Sequence, residues 1–326
     1  MLFDALIEPG LGFTAWLQLA SPALDLPMQA VTWLGALEFY LVLLPFIYWT
    51  LSPTLAARTF AVVLLGDAVN NIFKICWHQP RPYWVGDAAG VVGMATEGSY
   101  GVPSGHAGGS LLTWGYLATQ LRLRRFTIVA VLLVLLIGIS RPYLGVHFAH
   151  DVVFGWALGG VVLLFAVTLQ ERVVAWLTGL NPTHYLLTAI ALAVLLMSIG
   201  LLLPLLLAGT PDAPQWAHFA KEARSPAHFF ALAGSLFGLM LGYRRQTLTL
   251  GYVPSPDWMR RISCFAFGMA GLLLVYVGLG LLFRLLAEHG SLASHLLRFV
   301  RFVAVAWWIT DTAPRLFVRF RLARVQ

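Results

Sequence analysis

Residues 140–151 read Ser-Arg-Pro-Tyr-Leu-Gly-Val-His-Phe-Ala-His-Asp. They follow an apolar run long enough to cross a bilayer and put an arginine, two histidines and a carboxylate at its end. Ionisable groups at a membrane boundary are costly, so they read first as functional. A helix beginning near Val146 places His147 and Asp151 at i and i+4 on one face. The carboxylate then accepts from one ring nitrogen of His147, fixes the tautomer and leaves the other nitrogen free to attack or bind.

Outward from this stretch the chain is apolar throughout. Of 326 residues, 59% are hydrophobic and 11% charged, and the mean hydropathy is +0.79. Soluble domains carry about 25% charged residues, so the chain reads as an all-α integral membrane protein. The formal charge of +7 is scattered in short clusters between apolar runs. That pattern fits cytoplasmic loops under the positive-inside rule and gives no basic domain for nucleic acid. Cys76 and Cys264 lie far apart and suggest neither a disulfide framework nor a metal site.

Apolar runs near 28–51, 56–77, 105–121, 126–142, 147–170, 184–208, 226–243, 262–284 and 295–318 predict nine spans. Residues 1–27 lack a basic residue, which is unlike a signal peptide, and predict an interfacial segment. The organisation expected is 1–27 as that segment, 28–208 as the main membrane core and 209–326 as a three-helix extension. Arg58, Arg122, Arg172, Arg244, Arg260 and Arg315 all fall on one side. That side is the cytoplasm if the positive-inside rule holds, which puts the N-terminus outside and the C-terminus inside. The Gly- and Pro-rich 77–104 loop and the 142–147 turn lie opposite. Lys74, Arg81 and Arg141 break the charge rule there and need another role. Arg298, Arg301 and Asp311 fall inside the ninth run; the two arginines are open to a lipid headgroup or to Glu38 or Glu288.

Two further clusters share the outer side. In the first, Lys74 closes a span, and Pro80 and Pro82 stop the helix so that Arg81 stands outside it. Lys with Arg suits an anion, since Arg offers bidentate donors. The second is Pro103-Ser104-Gly105-His106. Ser104 is a good N-cap, and the amides at a helix start suit a phosphate. Taken alone, this cluster reads first as an ordinary cap with a satisfied histidine. The His147 and His150 pair taken alone reads as a structural or pH-sensing pair as readily as a catalytic one.

Together the three clusters resemble the type-2 phosphatidic acid phosphatase superfamily, whose signature runs K-x6-R-P, P-S-G-H and S-R-x5-H-x3-D. Every defined position matches: Lys74, Arg81 and Pro82; Pro103, Ser104, Gly105 and His106; Ser140, Arg141, His147 and Asp151. Residues of about 28–170 carry the resemblance. A second likeness, to glucose-6-phosphatases, rests on Gly66-Asp67, Asn70, Phe73-Lys74, Gln79 to Trp84, Tyr143-Leu144, His147-Phe148 and His150, and on Phe237-Gly238 and Arg261 to Cys264. It departs at Asp151, where that subfamily has a non-acidic residue, which favours the lipid-phosphate branch.

The resemblance implies a six-helix phosphatase core with added C-terminal helices, in a cell inner (plasma) membrane with the site on its outer face. It implies His147 as nucleophile through a phosphohistidine, Asp151 as its orienter and His106 as acid and then base. It makes Lys74, Arg81, Ser104, the Gly105 amide and Arg141 the phosphate holders. It implies no cofactor and no metal, with charge stabilisation left to the cations and the helix start. The partners expected are a membrane lipid phosphate or pyrophosphate and the bilayer. A soluble sugar phosphate, a phosphotransferase and a transporter on the same scaffold remain the alternatives.

Overall fold

The computed structural model describes residues 3–85, 90–92, 97–210 and 212–325. Parts of the 77–104 loop, residues 86–89 and 93–96, lie outside them. The helices run α1 Ile7–Leu17, α2 Asp25–Trp33, α3 Leu37–Phe46, α4 Pro53–Trp77, α5 Pro82–Val85, α6 Gly105–Leu121 and α7 Arg124–Tyr143. They continue as α8 Ala149–Gly179, α9 Pro182–Leu206, α10 Ala217–Ala223, α11 Ala227–Thr249, α12 Trp258–Leu286, α13 Leu292–Trp307 and α14 Ala313–Arg319. One two-residue antiparallel pair joins Tyr252–Val253 to Arg324–Val325. By contacts the chain forms two compact units. The first is Met1–Tyr40, Leu65–Gln170 and Leu202–Ser225; the second is Leu41–Leu64, Glu171–Leu201 and Pro226–Gln326.

Among the described residues, seven helices are long and apolar enough to cross a membrane, or up to eight if one bent pair is a single span. This is a multi-pass membrane protein. The expected 105–121 run is α6, 17 residues long. At roughly 1.5 Å per residue that is about 26 Å, just short of a hydrocarbon core of ~30 Å. The first expected run, 28–51, is broken: α2 and the helical stretch Leu37–Leu51 meet at 51°. Gly35 lies in the break, where a Cβ would stand 2.9 Å from Ile137 and 3.2 Å from the His106 ring. Close approach at that point, invisible to hydropathy, accompanies the bend. Several helices also run past their expected ends. The apolar count stops where charges begin, whereas helical hydrogen bonding does not.

In the first unit, glycines set the spacing of α6 and α8. A Cβ on Gly155 would lie 2.5 Å from the Ser104 carbonyl oxygen, and one on Gly159 would lie 2.9 Å from that of Gly108. One on Gly108 would lie 3.0 Å from the Gly155 carbonyl oxygen. Small residues let membrane helices approach backbone to backbone. The N-terminal ends of α6 and α8, and the side chains they carry, are thereby held side by side. The N-terminal segment folds over the same end. Gly10 of α1 meets the Phe148 ring, Gln18 donates to the Tyr143 carbonyl at 3.0 Å, and Tyr143 donates to Asp25 at 2.6 Å.

The second unit follows the same rule. Gly234, Gly238 and Gly242 lie one turn apart on α11; Cβ atoms on the first two would meet the Phe299 and Val303 carbonyls of α13, and one on Gly242 would meet the Thr310 hydroxyl. Asp311 is buried and pairs with Arg245 and with Arg315, the latter at 2.8 Å. Arg301 pairs with neither expected carboxylate. It donates from Nε to the Tyr276 carbonyl at 2.8 Å and lies 3.9 Å over the Tyr276 ring.

Gly155→Val is expected to force α6 and α8 apart, at a cost of about 1–3 kcal/mol from overpacking. Gly12→Ala, where a Cβ meets nothing within 4 Å, is expected to leave stability within about 1 kcal/mol of the parent. Thermal melting of the detergent-purified variants checks both.

Candidate active site

All eight residues singled out by the motifs lie in the first unit. Lys74 ends α4, because His78 turns to a positive φ of 36° and the prolines follow. Its ammonium is buried and donates to the Tyr100 carbonyl and, at 3.3 Å, to that of Gly101. Arg81 is wholly buried and bolts the loop to the turn that carries His147. Nη1 donates to the Val146 carbonyl at 2.9 Å and to His147 Nε2 at 3.0 Å. Nη2 donates to Glu97 at 2.7 Å and to the Ser99 hydroxyl at 2.9 Å.

His147 does not begin a helix as expected. α8 starts at Ala149, and Gly145 takes a positive φ of 72° in the intervening turn, which frees the chain from helical geometry. The contact with Asp151 still forms because Asp151 lies in the first helical turn and reaches back. Its Oδ2 accepts from the Phe148 amide at 3.0 Å and from His147 Nδ1 at 3.0 Å. A carboxylate acceptor at Nδ1 and a guanidinium donor at Nε2 together assign the proton to Nδ1. The Nε2 lone pair then accepts from Arg81 Nη1. Burial, with the Arg81 and Lys74 charges beside it, pushes the His147 pKa well below its ordinary value, so the ring stays neutral. His150 does not point clear of this group. Its Nε2 lies 3.2 Å from Asp151 Oδ1, and its ring stacks on Phe3 and Phe148.

The start of α6 faces this pair. Ser104 caps the helix by accepting from the Ala107 amide at 3.4 Å, and its own amide donates to the Asp151 carbonyl at 2.8 Å. Gly105 leaves room: a Cβ there would lie 3.5 Å from Asn70 Nδ2. Arg141 closes the site from α7, donating to the Thr32 hydroxyl at 2.6 Å and to Glu97.

Glu97 is the residue that sequence reasoning missed. Its carboxylate sits among four motif side chains. It pairs with Arg81 and Arg141, and its oxygens lie 3.7 Å from His106 Nδ1 and 3.9 Å from His147 Nε2. Burial pushes its carboxyl up, but the Arg81 and Arg141 guanidiniums outweigh burial and hold it well below the usual carboxylate range. Tyr83 grips its backbone: the hydroxyl donates to the Glu97 carbonyl at 2.9 Å and accepts from its amide at 3.0 Å. The only hint in the sequence is an acid in the loop that also supplies Arg81. Behind this loop, Tyr100 donates to Asp212 at 2.9 Å and Arg224 donates to the Tyr100 oxygen at 2.8 Å. Trp84 stacks on Phe219 with centroids 4.9 Å apart.

At pH 6 an ordinary imidazole, with a pKa near 6.5, is mostly charged. His147 is expected to remain neutral there and protonated on Nδ1. Nitrogen-15 NMR of histidine-labelled protein checks this: a charged His147 at pH 6, or a proton on Nε2, would contradict the assignment.

Comparison with known proteins matches the stretch of chain that carries these residues. The family profile of the PAP2 superfamily matches residues 55–175, and that of the PAP2 superfamily phosphatase transmembrane extension matches residues 230–325. Lipid phosphate phosphatase delta of Arabidopsis thaliana is 26% identical over 185 residues, covering 53% of this chain and 44% of that protein. Glucose-6-phosphatase catalytic subunit 1 of Haplochromis nubilus is 28% identical over 233 residues, covering 60% of this chain and 64% of that protein. The chain therefore spans less than two thirds of the length of either relative. Phosphatidylglycerophosphatase B of Bacillus subtilis (strain 168) is 29% identical over 165 residues, covering 47% of this chain and 78% of that protein. With both family profiles placed along most of its length and the three motifs gathered at one site, the chain belongs to the PAP2 superfamily.

Proposed function

We propose that the protein is a membrane-embedded, metal-independent phosphatase that hydrolyses a lipid phosphate or pyrophosphate through a phosphohistidine. The observation that carries this reading is the convergence of Arg81, Arg141, His106 and the neutral His147 on one anionic group, the Glu97 carboxylate. An anion seat lined by two guanidiniums and facing an unprotonated imidazole nitrogen suits phosphoryl transfer, which needs chiefly positioning and charge stabilisation.

In this mechanism His147 Nε2 attacks phosphorus and the bond to the leaving oxygen breaks. The Nδ1 proton stays against Asp151, which stabilises the positive charge that develops on the ring. His106 gives its proton to the leaving oxygen; a bound phosphate dianion favours the charged imidazole beside it. Water then attacks the phosphohistidine, His106 takes the water's proton, and phosphate leaves with His147 restored. Arg81, Arg141 and the amides at Gly105 hold the phosphoryl oxygens. Ser104 caps that helix start, and Lys74 adds positive charge while anchoring the Tyr100–Gly101 backbone.

The charge pattern supports nine spans with the site on the outer face of the inner (plasma) membrane. It also supports the division into the 1–27 segment, the 28–208 core and the 209–326 extension. Asp151 and the lipid-phosphate relatives favour a lipid such as phosphatidic acid, phosphatidylglycerophosphate, a sphingoid phosphate or a polyprenyl pyrophosphate. A soluble sugar phosphate is the second reading, favoured by the 60% of the chain that aligns with a glucose-6-phosphatase.

Phosphate release by detergent-purified protein, with chelator present, tests the proposal across lipid phosphates, prenyl pyrophosphates and glucose-6-phosphate. His147→Ala is expected to lose at least about 10³-fold in kcat, and His106→Ala about 10²–10⁴-fold, with both variants eluting as folded protein. Near-parent hydrolysis in either variant would remove that residue from the mechanism. Activity confined to glucose-6-phosphate would select the second reading.

A further inference from the structure

Glu97 has no place in the reaction just described, yet it occupies the centre of the site. Its two oxygens take the donors that a phosphoryl group needs, from Arg81 and Arg141. One oxygen also stands 3.9 Å from His147 Nε2, beyond the roughly 3–3.5 Å of an attacked atom but on the same side of the ring nitrogen as Arg81. We infer that Glu97 is an internal competitor for the phosphate seat: its carboxylate fills the seat in the free protein and is expelled when a phosphate group enters. This rests on the reading of the site as a phosphate site.

Three features fit a displaceable group rather than a fixed one. First, Lys74, Arg81 and Arg141 are buried cations, and an empty seat would leave the two guanidiniums facing it without a counter-charge. Glu97 supplies one, and a phosphate dianion supplies more. Both cannot hold the same guanidinium nitrogens, so binding is exchange. Secondly, the hold on Glu97 is divided. Tyr83 grips the main chain, whereas among the described residues the Arg81 and Arg141 guanidiniums hold the carboxyl. The side chain can swing out while its backbone stays in place. Thirdly, the Glu97 side chain is 30% exposed, while those of Arg81 and His147 are fully buried. The competitor therefore lies at the mouth of the seat, on the side from which a ligand enters.

The consequence is a weaker hold on every phosphate that enters the seat. An internal competitor raises the apparent dissociation constant of every phosphate by the same factor. Inorganic phosphate has no other contact with which to offset that factor. A phosphate ester brings the binding energy of its organic part. Glu97 thus leaves the ratio of the two affinities unchanged and, by lowering both, helps release free phosphate as product.

The test uses inorganic phosphate and orthovanadate as probes on the full-length protein in detergent with chelator. Affinity is read by isothermal titration and by thermal shift, neither of which depends on turnover. Glu97→Gln keeps the shape and removes the charge. It is expected to bind both anions at least about 10-fold more tightly than the parent, and its melting temperature is expected to rise more on adding phosphate. Tyr83→Phe, which loosens the backbone grip without removing the charge, is expected to shift affinity the same way by a smaller factor. The constant for inhibition by product phosphate should fall in parallel.

Equal or weaker anion binding by Glu97→Gln would overturn the proposal and make Glu97 a supporting residue. Should that variant fail to fold, unchanged affinity in Tyr83→Phe overturns it instead. Absence of binding in the parent and in every variant would overturn the phosphate reading itself. Binding by Glu97→Gln alone would support the competitor.

Discussion

Positive charge without water is the constraint on which this site depends. Lys74, Arg81 and Arg141 are each 5% exposed or less, and a buried cation must be hydrogen-bonded or paired. The fold answers for each one separately. Lys74 spends its protons on backbone carbonyls at Tyr100 and Gly101. Arg81 spends its own on Val146, Ser99, His147 and Glu97. Arg141 takes Thr32 and Glu97. The loop and the turn are therefore shaped by the cations as much as the cations are placed by them. The same charges, with burial, keep His147 neutral, which is the form in which an imidazole attacks.

Holding these groups in register requires two helix starts to sit closer than side chains normally allow. Gly108, Gly155 and Gly159 remove the side chains that would intervene. The Ser104 amide then bonds directly to the Asp151 carbonyl, so the segment that carries His106 and the segment that carries His147 are joined at one corner. The Tyr100, Asp212 and Arg224 cluster does the same for the loop that carries Glu97. A cluster built this way would be pre-organised for the phosphate proposed above, as charge stabilisation of phosphoryl transfer demands.

Much of this was legible in the chain. Helix identity and approximate position followed from apolar runs, because each span must satisfy its own backbone in lipid. The His147 and Asp151 pair followed from spacing, and it survived even though the helix begins later than expected. Boundaries were less legible, since hydropathy ends at the first charges and helices do not. The break at Gly35 and the close approach at Gly155 were hidden for another reason. A glycine signals permission for contact, but the contacting atom belongs to a distant part of the chain.

By itself the sequence determined that this is a multi-pass helical membrane protein of the PAP2 superfamily, and which histidines, arginines and lysine form its motifs. Residue type and local spacing carry that information, because the motifs are short and the spans are self-contained. Only the tertiary structure decided which groups meet at the site. Glu97 draws its partners from Arg81, Arg141, His106 and His147, on three other segments of the chain. Its distances to them are set by how α6, α7 and α8 pack and by the hydroxyl of Tyr83. No spacing along the chain encodes such a meeting, since it arises from the need to neutralise buried charge.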